Sequence, residues 1–171
     1  MRKIAITALS LVCGLGAATS AEAAGTKRIV VDSFVDEFEF AIDCGEFGPY
    51  DFDNLVSGVQ RLRITEVVSS DGTLLQTVFH TQIHETDTNS RTGKRLPLRS
   101  AIREVWDYTT NLRTMTGAVF IGTMPGAGHQ VQETGRIVMT LDTRVAQFVA
   151  GPHPAFFAGG IDPAVCAVLA G

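Results

Sequence analysis

Cysteine, tryptophan and positive charge are all scarce in this sequence. The 171 residues include 3 Cys, 1 Trp and 2 Tyr, and 14 Lys and Arg stand against 18 Asp and Glu. The net charge of −4 leaves no excess of cationic side chains to neutralise phosphates, which excludes a general nucleic-acid binder. Hydrophobic residues nevertheless make up 45% of the chain, so a packed core is feasible and a wholly disordered chain is excluded.

Signatures of common catalytic and cofactor sites are also missing. The sequence contains no Gly-x-Ser-x-Gly element, and no helix is predicted after the glycines at 117–128, which therefore cannot form a phosphate-binding loop. The segment Asp51-x-Asp53-Asn54 has acidic oxygens but not the loop glycine or distal glutamate of a calcium-binding hand. We therefore expect no cofactor and no metal.

The first residues have the pattern of a signal peptide. Arg2 and Lys3 form a positive segment, Ile4–Gly16 is apolar, and Ala21-Glu22-Ala23 is the small-x-small pattern that signal peptidase cleaves. Cleavage after Ala23 leaves one domain over residues 24–171. The sequence therefore predicts a secreted, extracellular protein.

Two membrane anchors are the alternatives to cleavage. A transmembrane helix needs about 20 apolar residues, and the N-terminal apolar run is shorter. A lipid anchor on Cys13 needs a small residue before the cysteine, where bulky Val12 stands. No later segment is long and apolar enough to span a bilayer, so we expect no membrane span in the mature chain.

Removal of the signal peptide leaves an even number of cysteines. Cys13 is lost with it, and the mature chain keeps Cys44 and Cys166. An even count in an exported protein favours a disulfide, which would close nearly the whole domain into one loop. Two unpaired buried thiols are the alternative.

A period of two dominates the chain from Val30 onward and predicts β-strands. Phe38 and Phe40 alternate with acidic residues in the first strand, residues 45–58 read as a loop, and Asp71-Gly72 is a strong hairpin signal. We count about eight strands, with a short helix beginning near Asp162-Pro163.

Short connections between these strands indicate an antiparallel meander. Eight strands can close into a barrel, which removes exposed edges and either fills with side chains or holds one small ligand. The predicted fold is therefore all-β, a closed β-barrel with a short C-terminal helix. A β-sandwich is the alternative, although its crossovers need longer connections.

Histidines and acidic residues are the candidates for chemistry. His80 and His84 are four residues apart on a predicted strand, about 13 Å, so one metal ion cannot bind both. Acidic residues that lie on the same face of a predicted strand as apolar residues are candidate catalytic groups, because burial raises a carboxyl pKa. These candidates are Glu66, Glu104 and Glu133. The alternative is that each is paired with an arginine, for which the sequence offers Arg61, Arg63, Arg103 and Arg136.

Large apolar side chains of the same predicted interior are the candidate ligand-binding residues. If the barrel encloses a cavity, its wall would include aromatic and aliphatic groups suited to a small, mostly apolar molecule. These residues are Phe38, Phe40, Ile64, Trp106 and Tyr108.

Several short motifs resemble those of a family of secreted proteins from high-GC Gram-positive, actinobacteria-like bacteria. The resemblance rests on Asp43-Cys44-Gly45, Thr86-Asp87-Thr88 with Asn89-Ser90, Thr92-Gly93-Lys94, Pro125-Gly126-Ala127-Gly128, Gly135-Arg136-Ile137-Val138, Ala150-Gly151-Pro152-His153 and Cys166. These motifs span most of the mature chain and are structural rather than catalytic. The resemblance implies export and a shared fold, and it implies no activity.

Two classes of function follow from these features. The first is an exported, non-enzymatic barrel that binds a small apolar molecule or a surface partner. The alternative is a small barrel isomerase or cyclase that uses its inward-facing carboxylates. A secreted interaction protein or inhibitor acting through hairpin tips is a third possibility, and the sequence leaves the oligomeric state open.

Overall fold

The structure is a computed structural model, and it describes residues 25–124, 126–154 and 160–171. The predicted signal peptide over residues 1–23 lies outside the described residues. The described elements are β1 (Lys27–Asp43), a 3-10 turn (Cys44–Phe47), β2 (Asp53–Val68), β3 (Leu74–Asn89), β4 (Arg95–Asp107), β5 (Leu112–Met124), β6 (Gly128–Thr140), β7 (Ala146–Ala150) and α1 (Ile161–Ala170).

These strands form one antiparallel sheet in which each strand pairs with the next along the chain, from β1 to β7. The predicted all-β meander with a C-terminal helix is therefore confirmed. Between the described parts of β1 and β7 there is no pairing, so the sheet is open and the predicted closed barrel is not confirmed. The short β7, five residues long, pairs with only part of β6.

The sheet has seven described strands where the sequence indicated about eight. β4 runs unbroken through Pro97, which lies before the β5 ladder begins at Leu98. Its missing N–H therefore costs no bond to β5. β2 also begins at Asp53, inside the predicted loop, because Asn54 and Val56 turn inward and are buried.

The predicted hairpin turn at Asp71-Gly72 is confirmed. Gly72 has a φ of 88°, in the left-handed region that glycine tolerates best. The Ser69 N–H donates to the Thr73 carbonyl over 2.9 Å, and the Asp71 carboxylate accepts from the Thr73 N–H at 3.1 Å. The turn fixes the register between β2 and β3.

Among the described residues, an apolar cluster lies between α1 and one face of the sheet, which we call the helix face. The cluster combines side chains of α1 with those of β4, β6 and the segment after β1: Cys44, Phe52, Leu96, Leu98, Val131, Val165, Cys166 and Leu169. α1 begins at Ile161, close to the predicted start at Asp162-Pro163, and Asp162 lies in its first turn. No helix in the described ranges is long and apolar enough to cross a membrane.

The predicted disulfide between Cys44 and Cys166 is confirmed. The two Cα atoms are 5.7 Å apart, and both cysteines are fully buried. The C-terminal turn of α1 is also tied to the β3–β4 hairpin, where Asn89 Nδ2 and Lys94 Nζ donate to the Leu169 and Val168 carbonyls at 3.2 and 2.6 Å. These bonds satisfy carbonyl groups that a helix end leaves unpaired, so α1 is held at its middle by the disulfide and at its C-terminal end by hydrogen bonds.

We predict that loss of the disulfide strongly destabilises the fold. The bridge joins residues 122 positions apart, and a loop of that length contributes about 4–5 kcal/mol in the chain-entropy description. The double variant Cys44→Ala, Cys166→Ala should lower the free energy of unfolding in urea by about that amount. An unchanged unfolding midpoint would contradict this prediction, and wild-type protein treated with reductant should match the variant.

Candidate functional site

The sheet surface opposite α1, which we call the trough face, presents a continuous row of basic and hydroxyl side chains that runs across the strands. Register pairs Arg63 of β2 with His80 of β3, and His80 with Arg103 of β4. Ser33 on β1 and Thr116 on β5 extend the same row at its two ends. Neighbouring strands lie about 4.8 Å apart, so the backbones of the two arginines flank that of His80 at roughly that spacing.

The row lines a broad trough of about 1150 Å³ that extends from β1 to β5. Arg28 and Arg61 add two further guanidinium groups to the lining, and Val30, Val35 and Val67 supply apolar surface beside them. No aspartate or glutamate lines the trough among the described residues. We call this site the basic trough and define it by Arg28, Arg61, Arg63, His80 and Arg103.

The arginines of the basic trough have no ion pair among the described residues. The ion pairs there involve other side chains, and none includes Arg28, Arg61, Arg63 or Arg103. Guanidinium groups bind carboxylate and phosphate oxygens in bidentate geometry, so a bound anion would supply the countercharge that these arginines lack.

A second group of ionisable side chains lies on the helix face, beneath the start of α1. Glu85 and Asp87 of β3 and Asp162 of α1 line a small cavity of about 120 Å³. Burial raises the pKa of Glu85 to about 7, and repulsion from Asp87 and Asp162 adds to the rise. Burial likewise raises the pKa of Asp87 to about 6, against the hydrogen bond from Asn54, and raises the pKa of Asp162.

The predicted catalytic acids lie on the helix face but do not form one cluster. Register places Glu66 beside Thr77, Glu104 beside Phe79, and Glu133 beside Phe120, in three separate cross-strand rows. Their role in catalysis stays a prediction.

Two of these acids have close partners other than the arginines that the sequence offered. Arg113 Nη2 donates to Glu104 Oε2 at 3.0 Å, and the Trp106 indole N–H donates to the other oxygen. His153 Nδ1 lies 3.2 Å from Glu133 Oε2, with both side chains buried. Arg61, Arg63, Arg103 and Arg136 have the opposite parity and lie on the trough face.

The predicted ligand-binding residues lie mostly on the helix face and outside the basic trough. The rings of Phe38 and Phe40 stack with centroids 5.8 Å apart, and Trp106 packs against Phe79 at 5.1 Å. Ile64 shares that face, whereas Tyr108 lies in the turn after β4 and is largely exposed. Phe40 alone among the five predicted residues lines the small acidic cavity.

Sequence reasoning missed the residues of both sites, although a signal for each was present. Arg61 and Arg63 are two positions apart on one strand, and Glu85 and Asp87 repeat that spacing on the next. Period-two parity places each pair on one face. Only the register between strands shows that His80 lies between two arginines, and only the packing of α1 on the sheet brings Asp162 to the carboxylates of β3.

The described residues contain no group of three or more His, Cys, Asp or Glu side chains arranged to hold a metal ion. His80 and His84 both lie on β3, as the spacing argument required, and both are exposed. His80 belongs to the basic trough instead. The carboxylates of the small cavity are close enough to repel each other, but they do not form a coordination site as they stand.

We predict that Glu85 and Asp87 make the protein more stable at pH 5 than at pH 8. A carboxyl group whose pKa is higher in the folded chain contributes stability that is fully present below its unfolded value and is lost as the pH rises through the folded value. For these groups the loss runs from about pH 4 to pH 7.

Thermal unfolding from pH 5 to pH 8 measures the effect. Glu85→Gln should flatten the pH dependence by raising the midpoint at pH 8, while Glu39→Gln, an exposed control on β1, should leave the wild-type slope. An equal slope in wild type and Glu85→Gln would contradict the prediction.

Comparisons with known proteins identify no relative of this chain. No family model, no curated protein and no solved structure matches the chain. Function must therefore be inferred from the basic trough and from the acidic cavity on the opposite face.

Proposed function

We propose that this protein is an exported binding module that holds an amphiphilic anion in its basic trough. The observation behind the proposal is the row Arg63–His80–Arg103, which places two guanidinium-bearing residues on either side of an imidazole, with no carboxylate among the residues that line the trough. The Cys44–Cys166 disulfide supports export, because disulfides persist in oxidising compartments. The ligand differs from the mostly apolar molecule that the sequence suggested.

The side chains around the row define the chemistry of the ligand. Guanidinium groups favour a planar or tetrahedral oxyanion such as a carboxylate or a phosphate. Val30, Val35 and Val67 line the same trough, so an alkyl chain attached to that head group would remove apolar surface from water. A single-chain alkyl carboxylate or alkyl phosphate combines both features.

The volume of the trough is large enough for such a molecule. Small-molecule sites commonly measure about 300–1,000 Å³, and this trough reaches about 1150 Å³. Its arginines are exposed, so a ligand can reach them without any rearrangement of the sheet. A stably bound head group would lie over the row, with its chain along the valines of β1 and β2.

We predict that the binding of dodecyl phosphate and of dodecanoate depends on the row. Hydrogen bonds to charged groups contribute about 1.5–3 kcal/mol each, so Arg63→Gln and Arg103→Gln should each weaken binding at least tenfold. Isothermal titration with each amphiphile below its critical micelle concentration measures the effect. Dodecyltrimethylammonium, which has the same chain and the opposite charge, should not bind.

A matched control separates the row from general charge. Arg95→Gln changes an exposed arginine that lies outside the basic trough, on the same strand and the same face as Arg103. This variant should leave the affinity for the amphiphile unchanged. Because Arg63 is exposed and has no ion pair among the described residues, Arg63→Gln should not lower the unfolding midpoint. Equal losses in Arg63→Gln and Arg95→Gln, or tight binding of the cationic amphiphile, would overturn the proposal.

A further inference from the structure

The outer edge of β1 is the longest unpaired strand edge among the described residues. β1 extends over 17 residues, Lys27–Asp43, and in the described sheet it pairs with β2 alone. At the other end of the sheet, β7 has five residues. An unpaired edge presents a row of backbone N–H and C=O groups to which another strand can add. β1 therefore provides a long site for strand pairing.

The side chains along this edge are exposed to solvent, and several of them are large and apolar. Every residue of β1 is exposed except Phe38 and Ile42, which are half-buried. Val35, at the centre of the strand, is 64% exposed, and Val30 and Phe40 are 50% and 52% exposed. β1 contains no proline, and its one lysine is its first residue, so two common protections of a sheet edge are absent from its middle. Exposed apolar surface of this kind marks an interaction site.

Charge is divided between the two ends of β1. Lys27 and Arg28 begin the strand, whereas its last eight residues include four acidic residues and no basic residue. Across β2, Lys27 and Arg28 lie opposite Val68 and Val67, and neither forms an ion pair among the described residues. Two copies of β1 that pair antiparallel bring the basic start of each strand to the acidic end of the other. Opposite charges on neighbouring strands stabilise their pairing, so β1 is complementary to a second copy of itself.

The acidic residues of β1 select one register for this pairing. When Val35 of one copy lies opposite Val35 of the other, the two strands overlap end to end. Asp32 then lies opposite Phe38, and Asp36 lies opposite Phe34. A shift of two residues in one direction places Asp32 opposite Asp36, and the same shift in the other direction places Asp36 opposite itself. Like charges directly opposite each other destabilise a sheet, so the register centred on Val35 is favoured over both.

The length of β1 is sufficient for a specific interface. At about 3.4 Å per residue, the strand spans roughly 55 Å. A sheet with side chains on both faces is about 10 Å thick, so the edge offers roughly 550 Å² on each copy. The total of about 1,100 Å² lies at the lower limit of specific interfaces. We therefore expect a reversible dimer. Pairing of β1 with β7 of another copy would instead repeat without closure over only five residues.

We propose that two copies of this chain form a dimer by antiparallel pairing of their β1 edges, with Val35 of each copy at the two-fold axis. The axis is perpendicular to the continuous sheet, so both trough faces lie on one side and both helices on the other. Ser33 and Val35 line the basic trough, so the two troughs adjoin along β1. The pairing uses groups of β1 alone and needs no bound anion. Experiments on ligand-free protein therefore test it independently of the proposed anion binding.

Sedimentation velocity of the ligand-free mature chain at micromolar to submillimolar concentrations measures the association. We expect a monomer–dimer equilibrium in the wild type. Val35→Lys places two like charges at the axis and should weaken the dimer at least tenfold. Val145→Lys changes a residue beside β7 that is 55% exposed, and this matched control should dimerise as the wild type does. A monomer at every concentration, assemblies larger than a dimer, or equal losses in the two variants would overturn the proposal.

A single introduced cysteine reports the register. Opposite residues on antiparallel strands have Cα atoms about 4.5–5.5 Å apart, which a disulfide can span, so mild oxidation should convert Val35→Cys to a covalent dimer. Cys44 and Cys166 are bonded to each other and buried, so they do not compete. Glu39→Cys lies on the same face of β1, roughly 27 Å from its copy in this register, and should stay unlinked. Equal cross-linking of the two variants, or none in Val35→Cys, would overturn the proposed pairing.

Discussion

The antiparallel register between β2, β3 and β4 determines which side chains share a face, and both candidate sites depend on it. His80 lies between Arg63 and Arg103 only because the Asp71-Gly72 hairpin fixes the β2–β3 pairing. A slip of one residue would move each of these side chains to the other face. The same register places Glu85 and Asp87 under α1, so positive and negative groups are separated by the sheet.

The disulfide and the polar bonds at the end of α1 make the two faces unequal. Cys166 holds the helix beside the end of β1, and Asn89 and Lys94 hold its last turn against the β3–β4 hairpin. The helix covers one end of the helix face and encloses a small cavity there. The trough face has no such cover within the described ranges, so its arginines stay exposed to ligands. The position of α1 thus makes the cavity on the helix face narrow and leaves the basic trough open.

The sequence predicted the elements better than the sites. Alternation gave the strands, Asp71-Gly72 gave the hairpin, and the even cysteine count gave the Cys44–Cys166 bridge, because each depends on local chemistry or on a count. Closure into a barrel depends on strand length and curvature. The alternation of apolar residues in a strand as short as β7 does not predict whether that strand pairs with β1. The alternation grouped Glu104 and Glu133 with apolar neighbours, but their partners Arg113 and His153 depend on tertiary contacts that no local pattern shows.

The central claim is that a bound anion lies over Arg63, His80 and Arg103. Chemical-shift mapping of labelled protein titrated with dodecyl phosphate tests it most directly, because each residue reports its own surroundings. The account predicts that the arginine side-chain N–H resonances of Arg63 and Arg103 shift together with the His80 ring, while Asn54 on the opposite face stays unchanged. Shifts confined to the helix face, or none at the row under saturating ligand, would contradict it.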